Sequence, residues 1–201
     1  MAIKVANNQS LTAITALPSA VSGGAMTLLE TQTASSSAPL SFTSNIDSTY
    51  DEYVFKFYDI HPQTDDVDFS FQANASGGSG YNETITSTAF RTYHHEDDTS
   101  TALGYRTADD QAQGTAFQNL IAETSSDNDH GGVGTLHIFD PSNTTFVKHF
   151  LFTGNHPGTT EFTRQWFIAG YFNTTSAITE IQFKMSSGNI DAGVIKLYGI
   201  S

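Results

Sequence analysis

The densest group of side chains that could do chemistry in this 201-residue sequence consists of His94, His95, Glu96, Asp97 and Asp98. Imidazole and carboxylate groups together ligate transition metals, and carboxylates alone ligate calcium. Adjacent residues of a strand point to opposite faces of a sheet, so His94 and His95 would not readily share one ion. Because the acidic residues run on into Thr99 and Ser100, the pattern favours a solvated turn at the end of a strand.

Two further predicted turns carry carboxylates that could bind calcium, and their residues are Asp65, Asp66 and Asp68, then Asp127, Asn128 and Asp129. Neither group has the ligand spacing of an EF-hand or of a glycine–aspartate repeat. Asp and Asn are also typical turn-initiating residues. We expect no cofactor, with bound Ca²⁺ as the open alternative, and we assign no residue as a metal ligand.

Signatures of hydrolytic catalysis are missing from the sequence. It has no Gly-x-Ser-x-Gly nucleophile elbow, and spacing pairs none of its seven histidines with a nucleophile. His137 and His149 lie in alternating segments, which favours partly buried, hydrogen-bonded roles for both. The glycine-rich run 77–80 lacks the Lys-Ser/Thr pair of a phosphate-binding loop and predicts a hairpin tip. We predict a protein that is not an enzyme, a polysaccharide-degrading enzyme being one alternative.

The elements that must position these groups are strands. Apolar residues recur at every second position within 52–58, 68–72 and 180–185, which places Phe55 and Phe57 on one side of the chain. Successive side chains of a strand point to opposite faces of a sheet. The pattern therefore indicates sheets with one buried face and one wet face.

Many short strands with no helices between them predict an all-β protein, and we expect a jelly-roll-like antiparallel β-sandwich formed by residues 27–201. Turn-forming Pro and Gly residues separate the strands, for example at 156–158. Only 109–121 could hold a short helix. The predicted strands are 27–34, 39–43, 52–60, 67–74, 84–95, 117–122, 133–139, 145–152, 164–173, 178–185 and 193–199.

Composition narrows the classes of function. The sequence has 21 acidic and 8 basic residues, a formal net charge of −13. Binding to nucleic acid or to an anionic membrane needs clustered Lys and Arg, so neither is expected. The lack of cysteine excludes disulfides and thiol catalysis. No stretch reaches the about 18 apolar residues of a membrane span, and the N-terminus lacks the apolar core of a secretory signal, so we expect folding in a reducing cytoplasm.

Residues 1–26 differ from the rest because they are small and polar, with scattered aliphatic residues and no aromatic ring. Such a segment has too little apolar surface to form a core of its own. It is either a flexible terminus or an extended arm that adds to a sheet edge or groove of a neighbouring subunit. For the arm we predict partner contacts through its aliphatic side chains, Ile3, Val5, Leu11, Ile14, Leu17 and Val21.

Five segments spread over nearly the whole chain carry a family resemblance, at 17–24, 41–50, 57–62, 170–178 and 193–200. The last two read Gly170-Tyr171-Phe172-Asn173-Thr174-Thr175-Ser176-Ala177-Ile178 and Gly193-Val194-Ile195-Lys196-Leu197-Tyr198-Gly199-Ile200. Together the segments resemble a family of virion proteins of tailed bacteriophages, marine ones especially, that are described as structural or tail-fibre-like. The resemblance transfers no catalytic residue.

The resemblance implies a non-enzymatic structural protein on the exterior of the capsid or tail of a virion, assembled in the host cytoplasm. It would decorate or stabilise the capsid, or form the head of a fibre or spike, attached to other virion proteins through its N-terminal arm. Phage appendages are commonly trimeric, so a homo-oligomer, and specifically a trimer, is expected. The alternative is a carbohydrate-binding adhesin of the tail that recognises a host surface glycan. Candidate sugar-stacking residues are Tyr81, Tyr93 and Tyr105, although core or rim packing is the favoured explanation for each.

Overall fold

Residues 25–201 are described by a computed structural model, in which they form a 13-stranded β structure. This part of the chain contains no helix, and therefore none that is long and apolar enough to cross a membrane. The strands are β1 (Thr27–Ser37), β2 (Leu40–Phe42), β3 (Glu52–Pro62), β4 (Val67–Ala75), β5 (Ile85–His95), β6 (Thr101–Tyr105), β7 (Ala112–Gly114), β8 (Gln118–Thr124), β9 (Gly132–Phe139), β10 (Lys148–Gly158), β11 (Phe162–Phe172), β12 (Ile178–Met185) and β13 (Ile190–Ile200).

The strands form two layers that face each other. The larger layer has the order β1-β13-β3-β9-β10-β11-β5-β6, with β7 pairing to the start of β5, and the smaller layer has the order β8-β4-β12-β2. The layers join where Gly158 of β10 pairs with Thr124 of β8, so the sandwich is nearly closed on that side. All strand pairs described here are antiparallel. The predicted all-β antiparallel sandwich is thereby confirmed.

Phenylalanine side chains fill the space between the layers. The ring of Phe183 in β12 lies in the middle, with its centroid 5.1 Å from those of Phe55 and Phe57 in β3. Towards one end, Phe71 of β4 meets Phe150 of β10 edge-on at 5.1 Å. These rings are at most 2% exposed, and burying one such side chain stabilises the fold by about 1.5–3 kcal/mol. The apolar residues that alternate within 52–58 thus form the inward face of β3.

The stretch 109–121 contains strand β7 and the first part of strand β8, and the expectation of a possible helix there is wrong. Tertiary hydrogen bonds override the local preference. The buried Gln118 side chain accepts from Ser87 Oγ at 2.6 Å and donates to the Asp109 carbonyl at 2.7 Å. Strand β6 is missing from the predicted strands because all its residues are exposed, so it has no buried face to impose an alternating pattern.

The turn predicted at 156–158 lies instead in β10, and the chain turns only at 159–161. Pairing with β11 continues as far as Gly158 opposite Phe162, and the lack of a Cβ at Gly158 leaves room for the Phe162 ring. Trp166 Nε1 donates to His156 Nε2 at 3.1 Å, which holds His156 inside the strand. The Pro and Gly of this stretch therefore serve packing within a strand.

The predicted arm, residues 1–26, lies almost wholly outside the described part of the chain, and so do its six aliphatic contact residues from Ile3 to Val21. Strand β1 begins at Thr27 at one edge of the larger layer, where β13 is its partner. Strand β6 lies at the opposite edge of the same layer. Strands β1 and β6 are therefore the two end strands of the larger layer.

Candidate binding surface

The outer face of the larger layer is uncharged over five adjacent strands. The pairing register places alternate residues of β9, β10, β11, β5 and β6 side by side on this face. None of them is Asp, Glu, Lys or Arg, although the chain has 21 acidic and 8 basic residues. We call this surface the uncharged face, and it comprises every second residue of Val133–Phe139, His149–Asn155, Thr163–Tyr171, Thr86–His94 and Thr101–Tyr105.

Apolar side chains are exposed where the uncharged face reaches the β6 edge. The rings of Phe90 and Phe167 stack with their centroids 4.8 Å apart, and Tyr105 lies opposite Phe90 in the strand ladder. Leu103 is 71% exposed and Tyr105 is 54% exposed. Among the described strands, β6 pairs with β5 alone. Exposed apolar patches and unpaired strand edges are both features that mark contacts between proteins.

Charged residues return outside the uncharged face. In β3, the next strand of the larger layer, Glu52 and Lys56 are in register with the outward residues of β9. On the smaller layer, Glu180 and Lys184 alternate with the buried residues of β12 and so lie on its outer face. The lack of charge is therefore a property of one surface of the molecule.

Two open depressions meet at His149, where the uncharged face ends near the start of β10. The larger, of about 530 Å³, lies between the β9–β10 loop and Thr175 and is lined by Phe139 and Phe146. The smaller, of about 270 Å³, lies on the other side of His149 and is lined by Tyr171. We call the surface formed by Phe139, Phe146, His149 and Tyr171 the aromatic groove.

The β9–β10 loop, which carries Phe146, is held by the side chain of Asn143. Asn143 Oδ1 accepts from the backbone N–H groups of Thr145 at 2.7 Å and Phe146 at 2.8 Å. Its Nδ2 donates to Asp140 Oδ2 at 2.7 Å. The Phe146 side chain is nevertheless 69% exposed. The loop, rather than burial of the ring, therefore sets the position of Phe146.

A buried lysine joins the two walls of the larger depression. Lys148 is fully buried, and its Nζ donates to the carbonyl oxygens of Phe146 at 3.0 Å and Thr174 at 3.2 Å. Burial lowers the pKa of Lys148, against the attraction of Asp140 and Glu83. A buried ammonium group is tolerated only with hydrogen-bond partners. The loops on both sides of the depression are therefore hydrogen-bonded to the same atom, Lys148 Nζ.

All three arginines of the chain converge on one carboxylate, that of Glu123 in β8. Arg91 Nη1 and Arg106 Nη2 donate to it at 3.1 Å and 3.0 Å, and Arg164 Nη1 donates to the same oxygen as Arg91. Arg106 Nε also pairs with Asp109 at 3.0 Å. This arginine network lies between β5 and β11 of the larger layer and β8 of the smaller layer, on the side where the layers join.

The charges of the arginine network stabilise one another, because the Glu123 carboxylate is paired with the guanidinium groups. Burial by itself would raise the pKa of Glu123, but its ion pairs and hydrogen bonds with Arg164 and Arg91 together lower that pKa. The Arg164 guanidinium is almost fully buried and stacks on the Phe162 ring at 4.2 Å. A carboxylate kept ionised by three guanidinium groups has no proton to donate near neutral pH. The network is therefore a partly buried ionic junction between the layers, with Arg164 as its buried member.

The structure separates the two histidines of the 94–98 cluster. His94 lies on the uncharged face and bonds Asp98 at 2.9 Å. His95 points inward and packs against Phe162 with ring centroids 5.5 Å apart. The two imidazoles therefore face opposite sides of the sheet, as the strand geometry predicts.

The other two acidic turns use their carboxylates in hydrogen bonds to the protein. Asp65 Oδ1 accepts from the Ser126 N–H at 2.9 Å, and Asp127 Oδ2 accepts from the Ser125 hydroxyl at 3.1 Å. Within residues 25–201, no three His, Cys, Asp or Glu side chains form a group that could hold a metal ion. Calcium binding stays a prediction with no assigned ligands.

None of the three tyrosines considered for sugar stacking lies in the aromatic groove. Tyr81 is half-buried and donates to Glu180 at 3.0 Å. Tyr93 packs against the Arg91 guanidinium, whose centre lies 5.8 Å from the ring centroid. Tyr105 is exposed, but it lies at the β6 edge.

Sequence patterns did not single out the aromatic groove. Of the two strand histidines, His137 is half-buried and bonded to Glu52 as expected, whereas His149 is exposed in the groove. One signal was present: Lys148 is on the same side of its strand as Phe150 and so faces the core. A lysine on an apolar face needs partners, and here the partners are the loops that form the groove.

Comparisons with protein-family models, curated protein sequences and solved structures gave no match to this chain. The surfaces described above are therefore the structural basis for a proposal of function.

Proposed function

We propose that this protein is a non-enzymatic structural protein of a bacteriophage virion. In this proposal it lies on the exterior of the capsid or tail, where it decorates or stabilises the capsid or forms the head of a fibre or spike. The observation that carries the attachment role is the uncharged face, which exposes Phe90, Leu103 and Tyr105 on a chain of net charge −13. The resemblance of five segments supports the phage assignment.

The uncharged face has the chemistry of a protein–protein interface. Interface cores are depleted of charged residues and enriched in Phe and Tyr. Burying an unpaired charge costs several kcal/mol. An acidic protein therefore associates most easily through a surface that has no charged side chain to desolvate. The free edge of β6 adds backbone N–H and C=O groups that a neighbouring strand can pair with.

The proposed partners are other virion proteins and sister copies of this chain, in a homo-oligomer that we propose to be a trimer. Residues 1–26 supply a second attachment through their aliphatic side chains. Because the chain before β1 starts from the edge opposite β6, the arm and the uncharged face can engage different neighbours at the same time. Attachment at two sites suits a protein that is present in many copies on the surface of a particle.

The substitution Leu103→Glu tests the attachment role of the uncharged face. Leu103 is 71% exposed, so the new charge leaves the core untouched. The matched control is Leu28→Glu, which changes a 51% exposed leucine of β1 outside the uncharged face. In phage particles that carry each variant, we expect mass spectrometry to show at least about a tenfold loss of the Leu103→Glu chain, because contact would bury a charge. Equal incorporation of both variants would contradict the proposal.

Deletion of residues 1–24 tests the second attachment separately. The deletion leaves β1 intact because that strand begins at Thr27. We expect a folded protein that is no longer incorporated into particles. Unchanged incorporation would remove the arm from the proposal while leaving the role of the uncharged face to stand.

A further inference from the structure

Beyond the structural role, we propose that the aromatic groove binds a neutral oligosaccharide. One sugar ring would lie against Phe146 in the larger depression, and the next would extend past His149 towards Tyr171. Small-molecule sites are mostly apolar depressions of about 300–1,000 Å³ with a few placed polar groups. The larger depression, of about 530 Å³, falls within this range.

The way in which Phe146 is held distinguishes it from an ordinary exposed apolar residue. A single exposed phenylalanine needs no explanation. Here, however, the loop that presents it is fixed by three hydrogen bonds of Asn143 and by the buried Lys148 ammonium group. Burying a lysine is costly, and in this case it fixes the backbone that carries a residue 69% exposed. A loop backbone fixed before binding loses little conformational entropy when a ligand stacks on the ring that it carries.

The polar groups around the ring suit sugar hydroxyls. The depression is lined by Asp140, Thr145 and Thr175 in addition to the aromatic residues. Asp140 Oδ2 accepts from Asn143, so its other oxygen can accept from a ligand hydroxyl. A threonine hydroxyl can both donate and accept, as a sugar hydroxyl requires.

The charges around the groove favour a neutral ligand. No Lys or Arg lines either depression, and Lys148 is buried and donates to two carbonyl oxygens. Asp140 contributes a negative charge, and the chain as a whole carries −13. An anionic glycan would therefore be repelled, with no Lys or Arg in the lining to neutralise it.

The smaller depression favours an oligosaccharide over a single sugar. It continues the groove beyond His149, with the threonines Thr86 and Thr88 beside Tyr171 in its lining. The His149 and Tyr171 rings lie 5.9 Å apart, centroid to centroid. A second sugar ring would therefore meet the same combination of aromatic carbon and hydroxyl as the first. An apolar peptide fits less well, because its side chains cannot donate a hydrogen bond to the other oxygen of Asp140, the one that Asn143 does not contact.

The first experiment measures binding of neutral gluco-, manno- and galacto-oligosaccharides by saturation-transfer NMR and titration calorimetry. Variant Phe146→Ala is compared with Leu28→Ala, a matched change at an exposed residue far from the groove. We expect Phe146→Ala to weaken binding at least about tenfold, which corresponds to about 1.4 kcal/mol. Leu28→Ala should bind like the parent protein.

The second experiment treats Asn143 and Lys148 as positioning residues. Asn143→Ala should speed amide hydrogen exchange at Thr145 and Phe146 and weaken oligosaccharide binding, with the NMR signals of the core unchanged. Lys148→Met should speed amide hydrogen exchange in the two loops that flank the larger depression, and it should also weaken oligosaccharide binding. Loss of stability without faster exchange in the loop would show that these residues are merely structural.

Three outcomes would overturn the proposal. They are no binding to any of the neutral oligosaccharides at millimolar concentration, equal binding by Phe146→Ala and the parent protein, or preference for an anionic glycan or an apolar peptide. Phe146 lies in the β9–β10 loop and is not part of the uncharged face, so particle incorporation of Phe146→Ala should be normal. Failure of sugar binding and failure of the structural role can therefore be distinguished.

Discussion

The arginine network and the uncharged face are opposite in their use of charge. The network gathers all three arginines around Glu123 at the junction of the two layers, where Arg164 is only 5% exposed. The uncharged face has no Asp, Glu, Lys or Arg side chain and leaves Leu103 71% exposed. Opposite charges are thus paired where the layers meet, whereas Asp, Glu, Lys and Arg are absent from the uncharged face.

Because of this difference, we expect the arginine network to affect folding stability and the uncharged face to affect binding to partners. A buried charge is stable only while its partner stays in place, so the arginine network favours one fixed arrangement of the layers. Exposed apolar side chains contribute little to folding and gain free energy only when a partner covers them. We therefore expect substitutions in the network to change stability, and substitutions on the uncharged face to change association.

The largest effect is expected for Glu123→Gln. Removal of the carboxylate leaves the buried Arg164 without its counter-ion. Breaking a fully buried pair costs about 3–5 kcal/mol, and because the Glu123 side chain is 38% exposed we expect a loss of about 2–3 kcal/mol. Urea denaturation should show this loss. The control Glu96→Gln makes the same change at an exposed residue and should stay within about 0.5 kcal/mol of the parent protein. A similar, small effect for both variants would mean that the network does not hold the layers together.

A smaller effect, which depends on pH, is expected at His156 beside the network. Burial, followed by the charge of Arg164, lowers the pKa of His156 from 6.5 to about 4. The folded protein therefore keeps His156 neutral while the unfolded chain takes up a proton, so stability present above pH 6.5 is lost as the pH falls towards 4. Between pH 7 and pH 5 this residue should account for about 2 kcal/mol.

Variant His156→Gln isolates that contribution, because Gln can still accept from Trp166 Nε1 and cannot be protonated. Urea denaturation of both proteins at pH 7 and pH 5 should show a fall in stability that is about 2 kcal/mol smaller for the variant. If the two proteins lose the same stability, then His156 is not kept neutral by the fold.

The smallest effect on stability is expected for Leu103→Thr on the uncharged face. Leu103 is exposed, and Thr suits an exposed strand position, so unfolding free energy should change by less than about 0.5 kcal/mol. Self-association, measured by sedimentation velocity, should nevertheless weaken. A variant that loses stability and keeps its association state would reverse the roles assigned to the two regions.

Sequence patterns account for much of the fold and little of the binding surface. Alternation in 52–58 and 180–185 correctly identifies β3 and β12, and it places Phe55, Phe57 and Phe183 in the core. The pattern works there because one face of each strand is buried. It fails for β6, whose residues are exposed on both faces. The pattern also could not show that Lys148 links the loop of Phe146 to Thr174 by hydrogen bonds to both carbonyl oxygens, because Thr174 lies far from Lys148 in the sequence.

The amino-acid sequence alone determined an acidic, cysteine-free chain whose period-two phenylalanines must be buried between β layers, because local geometry sends alternate side chains to opposite faces. Only the tertiary structure decided which residues meet. Arg91, Arg106 and Arg164 reach Glu123 through strand register and layer packing, and the same register leaves five strands with an uncharged outer face. These groupings join residues distant in the chain, for which the local pattern carries no signal.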